Sequence, residues 1–242
     1  MKFYVVIPAR YDSSRFPGKV LSLIHGKTML QHVYDNAKKS QATEVFIATD
    51  SDIVMKSAKS FTDNVLLTSK NNKNGTERVA EVSKSFNWPE DTLVINLQAD
   101  MPELRCENID FLAKSVDKTA NITTLYYPLT SSKLLLDKNT VKIHIYKENI
   151  SFCREIKSKK DGDIYKHIGI YAYYAKDLYL YKTYTQSENE LTLSLEQYRF
   201  IDNKHKISAY CAVSNPGHSV DTIDNLNKIK DINNWKIIKK HY

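Results

Sequence analysis

Two textures of apolar patterning alternate along the first half of this chain. Phe3–Ile7, Glu44–Thr49, Val65–Thr68 and Thr92–Leu97 are short, nearly continuous apolar runs. Runs of that kind mark strands covered on both faces. Between them the spacing turns helical. Met29–Lys39 carries Met29, Leu30, Val33 and Ala37 on one face. Asp52–Lys59 follows Asp50 and Ser51, either of which can cap it, and Thr76–Phe86 places Val79, Ala80 and Val82 inward behind Thr76 as a candidate N-cap. Strand, helix, strand, helix at this spacing predicts βαβ units and a largely parallel sheet.

Beyond residue 120 the texture changes. Ile122–Tyr127, Val141–Tyr146 and Ile168–Tyr174 are β-branched and tyrosine-rich strands separated by polar sequence such as Lys157–Asp163. A mixed sheet or a smaller antiparallel lobe is expected there. Glu190–Ile201 reads as one helix, Ile207–Val213 as a strand and Thr222–Asp231 as a last helix. The fold class is therefore α/β: a mixed, mostly parallel, Rossmann-like sheet flanked by helices, with an antiparallel sub-lobe. We expect a single domain over 1–242, with a first half to about residue 120 and a second half over 121–242.

Composition narrows the classes. With 242 residues and 42% hydrophobic content the chain can bury a core. No apolar run approaches membrane-span length, and Met1-Lys2 leads straight into a strand, so neither membrane insertion nor a signal peptide is expected. The cytoplasm is the default location. Cys106, Cys153 and Cys211 are far apart and odd in number, which reads as reduced structural thiols. A net charge of +7 raises nucleic acid as a partner. The lysines are spread along the chain, however, with only Lys236, Lys239 and Lys240 clustered. An anionic small substrate fits the charge equally well, and nucleic acid is not expected.

The densest chemistry follows the first strand. Pro8 to Lys19 contains Arg10, Arg15 and Lys19, the hydroxyls of Ser13 and Ser14, and a Pro17-Gly18 turn. Three cations at a strand's carboxyl end can neutralise a polyphosphate, with arginine forks matching phosphate oxygens, and serines with turn N–H groups can line an anion nest. A solvated surface loop explains loose charge but not this ordering. Other phosphate and cofactor motifs fail: there is no G-x-G-x-x-G, and Gly26-Lys27-Thr28 ends like a P-loop whose first glycine is replaced by Leu21. Segments 8–19, 71–78 and 98–102 all fall at expected strand ends, where open α/β sheets collect their ligands. Asp100, in the last of these segments, and Asp221, before Thr222–Asp231, are each explained, taken alone, as helix caps.

The ordered blocks resemble one family. Pro8-Ala9-Arg10-x-x-Ser13-Ser14-Arg15-x-Pro17-Gly18-Lys19 is followed by Gly26 to Val33, Ala48-Thr49-Asp50, Asn74-Gly75-Thr76-Glu77-Arg78 and Asn96 to Pro102. Asn139-Thr140-Val141-Lys142, Lys166-His167-Ile168-Gly169-Ile170-Tyr171, Leu195-Glu196-Gln197-x-Arg199 and Ser219-Val220-Asp221-Thr222 complete the set. Together they resemble the 3-deoxy-manno-octulosonate (Kdo) cytidylyltransferases among the sugar nucleotidyltransferases. The resemblance implies a nucleotide-diphospho-sugar transferase fold, CTP and a Kdo-like sugar acid as substrates, Mg²⁺ as cofactor, a homodimer, and a role in surface-polysaccharide synthesis. It implies catalytic roles for Arg10, Lys19 and Asp100. It implies CTP contacts from Pro8, Ala9, Arg10, Ser13, Arg15, Lys19, Thr49, Asp50, Gly75, Thr76, Arg78 and Gln98. It implies sugar contacts from Gln98, Lys142, Arg154, His167, Tyr171 and Glu190, and metal ligation by Asp100 and Asp221.

The chain departs from the family pattern in its acceptor half. Met101 stands where the family keeps a glutamate after the aspartate, Leu193 replaces a second carboxylate, and the segment before Lys166 is shorter. These changes motivate an altered acceptor, such as an amino-substituted Kdo. Activation of a nonulosonic acid and a non-catalytic homologue are the further alternatives.

Overall fold

The computed structural model describes residues 2–13, 16–129, 131–156 and 162–231. The predicted alternation is present. Strand β1 (Phe3–Pro8) is followed by a hairpin of β2 (Leu23–Ile24) and β3 (Lys27–Thr28), then α1 (Met29–Ala37), β4 (Glu44–Thr49), α2 (Asp52–Ala58), β5 (Val65–Leu67), α3 (Gly75–Ser85) and β6 (Leu93–Leu97). The second half runs α4 (Cys106–Lys114), β7 (Ile122–Tyr127), α5 (Ser132–Leu136), β8 (Lys142–Tyr146), β9 (Asn149–Cys153) and β10 (Asp163–Tyr174). It ends with α6 (Ala175–Thr183), α7 (Glu188–Leu193), α8 (Tyr198–Asp202), β11 (Ile207–Cys211) and α9 (Ile223–Lys230).

One sheet crosses both halves in the order β11-β7-β10-β6-β1-β4-β5. β1 lies parallel between β4 and β6, with Val5 opposite Val45 and Ile95. β10 runs antiparallel to both β6 and β7, and β11 returns parallel to β7. The first part of β10 also pairs with β8, which pairs with β9, so the antiparallel sub-lobe is a ribbon growing from the main sheet. A register shift between Ile168 and Tyr171 separates β10's two pairings with β7. A break in register of this kind re-aims side chains.

The core sits on both faces of the sheet. Val5 and Ile7 pack with Leu30, Val33 and Leu112 on one side. Val6 packs with Val79, Val82 and Leu178 on the other. This alternation is the period-two consequence of strand geometry. It explains why the strands read as continuous apolar runs.

Several local expectations are corrected. The helix over Glu190–Ile201 is two helices, because Ser194 adopts the left-handed region (φ 52°, ψ 48°) and ends α7. Thr76 does not cap α3; Asn74 does, its side chain accepting from the Glu77 N–H at 2.9 Å. Asp221 does not cap α9; Thr222 does, in a reciprocal capping box with Asn225. Of the two candidates before α2, Ser51 is the cap. Helices α4 and α6 are additions. α4 buries Ile109, Leu112 and Ala113, whereas α6 shows little apolar periodicity. Ser14, Arg15 and the lysines of the carboxyl-terminal cluster lie outside the described residues.

Candidate active site

A cavity of about 490 Å³ opens at the carboxyl ends of β1 and β6 and against β10. The end of β1 contributes Pro8 to its wall, the loop after it Arg10, Ser13 and Lys19, the α3 entry Gly75 and Arg78, and the loop after β6 Gln98 and Asp100. His167 and Tyr171 come from β10, Arg154 from the end of β9, Glu190 from α7, and Asp221 from the loop before α9. Tertiary structure thus gathers most of the predicted side chains around one space.

Lys19 is the hub of one group of lining side chains. Its ammonium donates to Asp100 Oδ2 at 2.7 Å and to the Val220 carbonyl at 3.1 Å, and lies 3.5 Å from Asp221 Oδ1. Two carboxylates from distant loops therefore flank one cation. Among the described residues no group of three or more His, Cys, Asp or Glu side chains is placed to hold a metal ion. A pair of carboxylates nonetheless fits Mg²⁺, which is usually bound by one or two carboxylates with waters and substrate phosphates completing its shell.

The α3 entry shapes the wall beside Lys19. Gly75 packs so closely that a Cβ there would lie 3.1 Å from Gln98 Nε2 and 3.2 Å from Pro8 Cγ. Thr76 is fully buried; its N–H donates to Glu196 Oε2 at 3.1 Å and its hydroxyl meets the Tyr173 hydroxyl at 3.1 Å. Glu196 Oε1 accepts from Gln98 Nε2 at 3.1 Å. Glu196 therefore joins the N-terminal turn of α3, where the helix dipole favours negative charge, to the side chain of Gln98. Burial pushes the Glu196 carboxyl up, against the opposing bond from Thr76.

Other predicted residues support the wall from behind. Ala9 is buried, and its N–H bonds the Ala48 carbonyl at 2.8 Å. Thr49 is buried and its carbonyl accepts from both the N–H and the hydroxyl of Thr68. Asp50 holds Arg78 at 2.7 Å and faces a second, open depression shared with Arg10 and Lys70. Arg78 also donates to the Thr68 hydroxyl. Lys142 does not reach the cavity: it is fully buried and its ammonium donates to the carbonyls of Asp137 at 2.5 Å and Arg154 at 2.6 Å. Burial pulls its pKa down.

On the opposite wall Arg154 points its guanidinium at the carbonyls of Leu193, Ser194 and Asn139, at 3.4–3.5 Å. His167 is buried, with Nε2 at 3.0 Å from the Thr124 hydroxyl, and desolvation takes its pKa to about 3, so the ring is neutral. Tyr171 donates to Gln197 Oε1 at 3.4 Å, and burial raises its hydroxyl's pKa well above the ordinary value. Glu190 is clamped by Arg199, which donates to its two oxygens at 2.7 and 2.8 Å and to Glu77 Oε1 at 2.8 Å. The guanidinium lies 4.3 Å from the Tyr181 ring centroid. Glu196 and Arg199 are the principal residues that residue-type reasoning passed over. Their signal was present in Leu195-Glu196-Gln197-x-Arg199, whose spacing puts both at the turn into α8.

Comparison with known proteins places this geometry. The cytidylyltransferase family model matches residues 4–207. A 3-deoxy-manno-octulosonate cytidylyltransferase of Alteromonas mediterranea is 38% identical, the match covering 95% of this chain and 98% of that protein. One from Coxiella burnetii is 35% identical over 95% of this chain and 99% of its own length. The solved structure of a CMP:2-keto-3-deoxy-manno-octonic acid synthetase complexed with CTP superposes with a TM-score of 0.84 at 32% identity, covering 98% of this chain and all of that one. A 4-diphosphocytidyl-2C-methyl-D-erythritol synthase, 14% identical with a TM-score of 0.66, shares the fold. The cationic strand-end loop, the paired aspartates and full-length similarity converge: this chain belongs to the cytidylyltransferase family, among the 3-deoxy-manno-octulosonate cytidylyltransferases.

Proposed function

We propose that this chain transfers CMP from CTP to the anomeric hydroxyl of Kdo, releasing pyrophosphate. The observation that carries the reading is Lys19 held between Asp100 and Asp221 in the cavity wall, on a chain of this family. Arg10 and Lys19 neutralise the triphosphate, and their fixed charges favour the pyrophosphate as negative charge builds on it. The α3 entry, with Gly75 for close backbone approach and Thr76 anchored to Glu196, receives the nucleotide. Gln98, His167 and Arg154 face the sugar acid. His167, neutral at working pH, orients by hydrogen bonding rather than by charge.

Asp100 and Asp221 are the residues that would hold Mg²⁺, which supplies Lewis-acid polarisation of the phosphate and a lower pKa for the attacking hydroxyl. Within that pair Lys19 sets the carboxylates' spacing. We further propose that the residues before about 120 serve the nucleotide, and that those after it serve the sugar and a homodimer contact. No helix among the described residues is long and apolar enough to cross a membrane, and the cytoplasm is the proposed location.

An acceptor altered from Kdo is a second reading, favoured by the apolar Met101 in the cavity wall. The deciding assay is pyrophosphate release with CTP and Mg²⁺ across Kdo, 8-amino-Kdo and sialic acid. Preference for Kdo supports the first reading, preference for the amino sugar the second. No release with any acceptor sinks both.

A further inference from the structure

The two aspartates beside Lys19 come from separate loops, and one buried carboxylate joins those loops. Residues 98–105 follow β6, and residues 212–222 lead from β11 to α9. Glu103 lies three residues after Asp100; His218 lies three residues before Asp221. Glu103 is only 6% exposed. Its Oε2 accepts from the His218 backbone N–H at 2.8 Å and sits 3.0 Å from His218 Nδ1. Beside it Lys166 of β10 donates to the Gly217 carbonyl at 2.8 Å. The Val220 N–H donates to the Asp100 carbonyl at 2.9 Å, and Lys19 donates to the Val220 carbonyl.

The packing is as specific as the polar contacts. Gly217 has φ +72°, and a Cβ there would lie 2.4 Å from Glu103 Cβ. Only glycine allows that approach. Glu103 Oε1, by contrast, is buried without a hydrogen-bond partner among the described residues. Burying a carboxylate with an unsatisfied oxygen is unfavourable. An apolar side chain could fill the same space at less cost. What an apolar residue could not do is accept from His218 or stand near the Lys166 ammonium, whose pKa burial lowers and Glu103 raises.

We propose that Glu103 is a positioning residue: it clamps the 212–222 loop onto the 98–105 loop, so that Asp221 stays across Lys19 from Asp100 and the pair keeps its affinity for a divalent cation. This rests on the reading of Asp100 and Asp221 as metal ligands. Groups that orient metal ligands from behind typically change metal affinity by roughly 10–100-fold when removed.

The test uses the full chain with CTP and no sugar acceptor, with Mn²⁺ as the probe. Water-proton relaxation reports the protein-held ion, and pyrophosphate release against Mg²⁺ concentration is measured separately. Glu103→Ala should weaken Mn²⁺ binding by roughly tenfold or more. It should raise the Mg²⁺ requirement by the same factor, with kcat at saturating Mg²⁺ little changed. Glu103→Gln, which keeps an acceptor for the His218 N–H, should fall between. Gly217→Ala should move binding in the same direction with Glu103 intact. A folded Glu103→Ala protein that holds Mn²⁺ as tightly as wild type overturns the clamp. Should Glu103→Ala not fold, wild-type affinity in both Glu103→Gln and Gly217→Ala overturns it. If wild type and Asp221→Ala hold Mn²⁺ alike, the metal-ligand reading itself has failed, and the clamp falls with it.

Discussion

On the parallel side of the sheet, Arg10 and Lys19 from the segment after β1 line the cavity, and Lys19 draws Asp100 and Asp221 to the same place. On the antiparallel side, Lys142 is capped by two carbonyls, Arg199 is locked between Glu190 and Glu77, and Arg154 addresses the carbonyls around the α7–α8 turn. One side presents charge to a ligand; the other uses much of its charge to build the wall. The parallel strands end together, so side chains just beyond them converge on one spot. The opposite wall is made of short helices and a ribbon, whose irregular backbone leaves polar groups that buried cations must satisfy. Substitutions should therefore damage chemistry on the first side and stability on the second.

The largest effect expected is for Asp100→Ala. Pyrophosphate release should fall on the order of 10³-fold, while the melting temperature stays within a few degrees of wild type. Near-normal turnover would remove the contrast at its strongest point. Arg199→Met is the counterpart on the other wall. It leaves Glu190 and Glu77 buried without their cation, which should destabilise the fold by about 3–5 kcal/mol. In a chain of this size that lowers the melting temperature by roughly 10 °C. An unchanged melt would show that the buried cluster contributes little.

Glu196→Gln sharpens the boundary, since Glu196 belongs to the α8 side but anchors α3. Burial raises its folded-state pKa above the ordinary 4.5. Its stabilising contribution is then complete below that value and is lost as pH rises through the folded pKa. The glutamine variant should gain melting temperature relative to wild type as pH rises from acid to neutral. A gap that narrows over that range refutes the assignment.

The smallest effect concerns His167. Its folded pKa is depressed to about 3 from 6.5, so its contribution to stability is present above 6.5 and lost as pH falls toward 3. The pH dependence of kcat/KM between about 6 and 9 should have the same shape in wild type and His167→Asn, because neither titrates there. An inflection lost on substitution would mean that the ring carries a charge during turnover.

Much of this molecule is legible without coordinates, and the reason differs by region. The strands Glu44–Thr49 and Ile122–Tyr127 match their observed bounds because buried strands impose a local composition. The family blocks carried the site's membership, because the residues after β1 and β6 must sit at strand ends in any sheet of this order. The break at Ser194 was hidden: no proline or glycine marks it, and the apolar spacing continues through it. α6 was hidden because its large side chains, Leu178, Tyr179, Leu180 and Tyr181, are contiguous and give no helical period. Lys142 reads as a ligand from its motif, yet the ribbon turns it inward.

The chain's own order of residues determined the strand–helix alternation, the cationic loop at the first strand's end and the family. Each depends on neighbours within a few positions or on blocks kept in sequence. Tertiary structure alone decided which charges meet. Lys19 and Asp100 are 81 residues apart, Glu77 and Arg199 are 122 apart, and Glu103 and His218 are 115 apart. Whether a charge is offered to a ligand or absorbed by the wall depends on what desolvates and pairs it. That partner is supplied by the sheet's crossovers rather than by local sequence.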